Sequence, residues 1–140
     1  MNERINDKVE EIEKYLAELD EIRPKTLNEY LADLKTKAAC ERYVEKVMEA
    51  VTDLAFLLIK DKSLQIPEED AKAFEILVQS RLIDKKLGEN LQLAKGMRNV
   101  LAHQYGEIDD EIVFNAISDQ LETDVKRFIH LVKKLNKLRK

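Results

Sequence analysis

The sequence predicts an all-α fold, an up-and-down bundle of four long helices with one or two short ones. Three observations carry that prediction. Of 140 residues only 3 are Gly and 2 are Pro, so the tight turns of a β-protein would lack the residues that form them. Charged residues make up 37% of the chain, a composition suited to helices with one wet face. Apolar residues recur at steps of three and four along most of the chain instead of alternating. The length suits one domain over 1–140 that buries a core of its own.

The elements follow in order. Ile5, Val9, Ile12, Leu16 and Leu19 form a stripe over Glu3 to about Glu21, with Asn2 placed to cap it and Pro24 to end it. Thr26 and Glu29 make a capping box that opens a second helical piece through Tyr30, Leu31 and Leu34. From about Thr36 the positions Ala39, Tyr43, Val47, Ala50, Leu54, Leu57 and Leu58 continue to Ile59. That stretch is nearly apolar all round after Val51, which predicts the central helix. Asp61 to Ile66 reads as a loop. Pro67 with Glu68, Glu69 and Asp70 then has the proline and acid signature of a helix start, with Phe74, Leu77 and Val78 facing inward. After the connector Arg81 to Ile83, Asp84 can cap a helix striped by Leu87, Leu91, Ala94, Met97 and Leu101. Gly106 to Asp109 breaks the chain. Asp109 or Asp110 starts a last helix along Ile112, Ala116, Leu121, Val125, Phe128, Val132 and Leu135.

Charge is unevenly spread. Residues 1–70 carry 11 Lys/Arg and 18 Asp/Glu, a net of −7, and residues 71–140 carry 13 and 10, a net of +3. The second half is therefore the side suited to a polyanion. Seven cations with no acid fall within 126–140, which also fits a solvated helix end complementing the negative pole of its dipole. The single cysteine, Cys40, has no partner within the chain for a disulfide and reads as a small buried hydrophobe. His130 sits among Phe128, Ile129 and Leu131 as a packing or boundary residue, and Tyr15, Tyr30 and Tyr43 read as core edges. The polar start of the sequence has no signal-peptide character, and the longest apolar run is the six residues Leu54 to Ile59, so a cytoplasmic chain with no membrane span is expected. No Gly-rich phosphate loop occurs, and neither a cofactor nor a metal is expected.

Chemistry concentrates in Arg98-Asn99-Val100-Leu101-Ala102-His103-Gln104-Tyr105, at a predicted helix end. A permanently charged guanidinium that forks onto phosphate oxygens, near an imidazole that titrates around neutral pH, is a minimal kit for cleaving a phosphodiester. In RNA the nucleophile is already present as the 2′-hydroxyl. On a straight helix Arg98 and His103 diverge by about 140°. Either the helix ends near Leu101 or Ala102 and His103 turns back, or a second copy of the chain completes the site across a two-fold axis. Asn99 lies four residues from His103 and can orient it. By residue type alone, the same stretch also fits a surface arginine and a histidine satisfied at a helix C-terminus.

The order of residues says more. The pattern R-x4-H-x-Y, spelled RNVLAHQY, follows Gly96-Met97 and precedes Glu107-Ile108-Asp109. With Leu27 to Leu31, Glu49 to Asp53 and the Ile66-Pro67 entry, it resembles the HEPN superfamily and, within it, the HepT-like toxins encoded beside small MNT nucleotidyltransferase antitoxins. The resemblance implies a HEPN-like helical homodimer whose paired motifs line one cleft and cleave RNA without a metal. It implies Arg98 and His103 as the catalytic pair, Asn99 as their polar neighbour, and Tyr105 as the tyrosine that an MNT-type partner modifies with AMP, with a larger hetero-oligomer as a further form. The alternative function is a non-catalytic module that binds a nucleotide or the partner enzyme, and a third is a purely structural helical dimer.

Overall fold

A computed structural model describes residues 2–103 and 108–137, and among them every regular element is helical. The helices are α1 (Glu3–Ile22), α2 (Leu27–Ala32), α3 (Leu34–Asp61), α4 (Ala73–Gln79), α5 (Lys85–His103), α6 (Asp110–Asn115) and α7 (Leu121–Lys137). A 3-10 turn, Asp70–Lys72, leads into α4, and a π-helical turn, Ala116–Gln120, joins α6 to α7. The four long helices α1, α3, α5 and α7 form the all-α up-and-down bundle.

Sequence capping signals act where they are found. Asn2 accepts from the backbone amides of Arg4 and Ile5, Asp84 from Leu87 at 2.7 Å, and Asp109 from Glu111 and Ile112. Each satisfies amides that a helix start leaves without partners. Thr26 accepts from the Glu29 amide, while Glu29 reaches back to the amide of Lys25, one residue before the cap. Asp33 caps α3, a start the periodicity missed. Leu34 therefore opens α3 and is exposed instead of closing α2. Pro67 does not open a helix either. Glu68 and Glu69 stay in a bend, and helical turns begin at Asp70.

Helix α3 is the hub. Its buried residues, among them Cys40, Val44, Val47, Met48, Val51, Leu54, Leu58 and Ile59, surround the helix axis, and it packs against α1, α2, α4 and α5. Phe74 on α4 meets Phe128 on α7 edge to face at 6.1 Å, and Tyr30 on α2 packs on Phe114 of α6 at 5.5 Å. Tyr30 is fully buried, not a core edge, whereas Tyr15 and Tyr43 are partly buried. His130 is exposed. The cationic stretch on α7 meets surface carboxylates: Lys126 pairs with Glu122, Arg127 with Asp84 and Lys133 with Glu13.

Two departures from simple periodicity affect the site. The step from Ala116 to Leu121 is five residues, and the Leu121 amide donates to the Ala116 carbonyl across the π turn. This extra residue re-phases the stripe, so Val113 and Phe114 are buried while Ile112 is exposed. On α5 the inward line is Leu87, Gly88, Leu91, Lys95 and Leu101, with Ala94 and Met97 only partly buried.

Two tests follow from this packing. A methyl group on Gly88 would collide with Val78 Cγ2, so Gly88→Ala should destabilise the fold by about 1–3 kcal/mol in urea titration. Burial, reinforced by Glu41, pushes the Cys40 thiol up to about 11 from 9.0. Native protein should resist alkylation at pH 8, and stability should be intact below pH 9 and fall as pH rises towards 11, because only the unfolded chain ionises there.

Candidate active site

Arg98, Asn99 and His103 all lie on the last two turns of α5, and the helix continues through His103. The reading in which the helix stops at Leu101 or Ala102 and frees His103 to turn back is therefore not realised. At 100° per residue the two side chains leave the helix about 140° apart. Arg98 faces inward and His103 lies on the exposed side. Tyr105 falls outside the described residues.

Arg98 is held from two directions. One terminal nitrogen, Nη2, donates to Glu49 Oε1 on α3 at 2.7 Å, and Nη1 donates to the neighbouring Asn99 Oδ1 at 3.1 Å. The Nε atom is buried and makes no hydrogen bond among the described residues. The guanidinium is thus oriented by one carboxylate and one amide, with donor capacity left over for an anion. Asn99 serves Arg98 directly, a role its spacing from His103 did not suggest.

Arg98 forms part of the wall of a cavity of about 430 Å³ that α1, α3 and α5 enclose. His103 is not part of that wall. Lys46 of α3 reaches over the rings of Tyr15 and Tyr43 at 4.9 and 5.1 Å, and Lys95, only 7% exposed, lines the cavity one turn before Arg98. The carboxylates Glu11, Glu49, Asp53 and Asp70 share the wall, and Lys8, outside it, bonds Glu11 at 2.9 Å and approaches Asp53 at 3.6 Å. The Lys8 hydrogen bond holds the Glu11 carboxyl below its usual range, and the bond that Tyr15 donates to Glu11 pushes that phenol up. Among the described residues no cluster of three or more His, Cys, Asp or Glu side chains is placed to hold a metal. Among them, too, no helix is long and apolar enough to cross a membrane.

The model of the family described as ribonuclease HepT-like matches residues 12–132, which hold the whole of α3 and α5, parts of α1 and α7, and the motif. The chain belongs to the HepT-like ribonuclease family. Among its relatives, the mRNA nuclease HepT of Shewanella oneidensis is 26% identical over 133 residues, covering 95% of this chain and 98% of that protein. The tRNA nuclease HepT of Aphanizomenon flos-aquae is 26% identical over 118 residues, covering 84% and 80%. The fold of this HepT-like chain superposes on the tri-AMPylated Shewanella oneidensis HEPN toxin, solved in complex with MNT antitoxin, with a TM-score of 0.88 and 26% identity. That match covers 96% of this chain and 99% of the toxin.

Glu49 and Lys95 are the site residues that motif reading passed over. Glu49 stands in the Glu49 to Asp53 segment of α3, yet only the folded bundle brings it to Arg98. The Glu49–Arg98 pair is partly solvated, with side chains 47% and 23% exposed. Glu49→Gln should therefore change stability by less than about 1 kcal/mol in chemical denaturation.

Proposed function

We propose that this chain is a ribonuclease toxin whose active site forms between two copies, with Arg98 and His103 as the catalytic pair. The observation that carries the reading is the divergence of these two residues on one straight helix of a HepT-like fold. One protomer keeps Arg98 in its cavity and sends His103 to its outer face. A two-fold axis beside α5 would return the histidine of one copy to the arginine of the other.

The outer face of α5, where His103 lies, is open to a second copy. Leu93, Gly96, Val100 and His103 follow at steps of three, four and three, the spacing of a helix–helix seam. Leu93 is 74% exposed, and a methyl group on Gly96 would meet nothing within 4 Å, so a second backbone can approach there.

In the reaction, His103 takes the proton of a 2′-hydroxyl or gives one to the departing 5′-oxygen. The 2′-oxygen bonds to phosphorus as the 5′-oxygen leaves, and Arg98 stabilises the charge on the remaining phosphate oxygens. Asn99 and Glu49 keep the guanidinium in place. No step calls for a metal. The silencing partner is an MNT-type nucleotidyltransferase antitoxin, with Tyr105 as the AMP acceptor. A bulky anion near Arg98 would compete with substrate phosphate.

RNA should be cleaved in excess EDTA, and Arg98→Ala and His103→Ala should each lose about 10²-fold or more in rate. Mixing the two inactive variants under subunit exchange should restore about a quarter of wild-type activity, because half the dimers regain one intact site. No recovery would place the pair within one protomer. Equal background from wild type and variants would favour a non-catalytic module that binds a nucleotide or the antitoxin.

A further inference from the structure

Lys95 interrupts the apolar line of α5. Leu87 and Leu91 are fully buried, and the next position at the same spacing is a lysine with only 7% of its surface exposed. Lysine is almost never buried to that degree without a counter-charge. Among the described residues no carboxylate lies within ion-pair distance of it, in contrast to Arg98, which Glu49 meets at 2.7 Å. The Lys95 ammonium is not among the buried atoms without a partner, so the apolar stem fills the stripe while the charged head reaches the cavity.

Position supplies an explanation. Lys95 and Arg98 are three residues apart, about 60° around the helix and about 4.5 Å along it, and both line the same cavity. Residues three apart are neighbours on a helix, with Cβ atoms about 5–6 Å apart, so two long cationic side chains there can each take one of two neighbouring phosphates. Lys46 enters the same cavity from α3, stacked over Tyr15 and Tyr43. We infer that Lys95 is a substrate-binding residue that takes the RNA phosphate next to the scissile one held by Arg98. The inference rests on the ribonuclease reading and extends it, since it assigns a second phosphate subsite on the N-terminal side of the motif. An ammonium group is a point charge with three rotatable donors, suited to a phosphate that must be held but not cleaved.

The test uses the intact dimer and a single-stranded RNA oligonucleotide in which every 2′-hydroxyl is methylated, so that it binds without being cut. Its dissociation constant is measured by fluorescence anisotropy across a salt series. Lys95→Gln should weaken binding about tenfold and reduce the salt slope by about 0.7, the loss of one phosphate contact to a single strand. Lys95→Arg should retain both affinity and slope, and Lys95→Met should weaken binding like Lys95→Gln while melting at or above the wild-type temperature. An unchanged slope in Lys95→Gln overturns the subsite, as does a Lys95→Met protein that loses stability but binds RNA normally. His103→Ala separates the two claims: it should bind the analogue like wild type yet fail to cleave ordinary RNA. Lys95-dependent binding by a wild type that cuts nothing would sink the catalytic reading and leave the subsite standing. A wild type that does not bind the analogue sinks the subsite, and the catalytic reading then stands or falls on cleavage of ordinary RNA.

Discussion

Helix α3 carries more apolar surface than any one neighbour can cover, and that constraint organises the bundle. Its buried residues run from Cys40 to Ile59 around most of the axis, so α1, α2, α4 and α5 must each take a share. Desolvating such a surface favours burial without dictating direction. Directional detail comes from contacts at the margins. The Arg98–Glu49 pair joins α3 to α5, and Asp84 uses one oxygen to cap α5 and the other to hold Arg127 of α7. The amides of Asn2 and Asn136 close α1 onto α7. The site inherits its geometry from this arrangement, because α5 cannot rotate without exposing Leu87 and Leu91.

Much of the fold was legible in the sequence because helix starts and apolar spacing are local properties. Asn2, Thr26, Asp84 and Asp109 cap where their residue types said they would, and the stripe of α1 is buried at all five positions named from the spacing. Reading failed where a partner distant in sequence decides the outcome. Asp124 is buried because Asn90 and Gln120 donate to it, and Asn136 because Asn2 and Asn6 surround it. A rule that places polar residues outside has no means of finding either. Leu34 belongs to α3 and not to α2 because Asp33, by type an ordinary acid in a charged chain, caps α3.

The candidate site divides along the same line. Arg98, Asn99 and His103 stand in one octapeptide whose order is distinctive, and the family match agrees with the resemblance that octapeptide suggested. The divergence of Arg98 and His103 needed only helical geometry to foresee. Which of the two would face inward depended on tertiary packing. Glu49, 49 residues before Arg98, and Lys95, hidden in an apolar stripe, became visible only with three helices assembled.

The π-helical turn between α6 and α7 has a broader consequence. One added residue shifts the phase of everything upstream by about 100° relative to a continuous α-helix. The Ala116–Gln120 turn thus acts as an angular adapter. It lets α7 present Val125, Phe128 and Val132 to the bundle while α6 keeps Ile112 outward, beside Leu93 on the outer side of α5. Removing that one residue would turn α6 by the same angle, carrying Val113 and Phe114 out of the core and Ile112 towards it, so the length of this segment selects which side chains α6 buries.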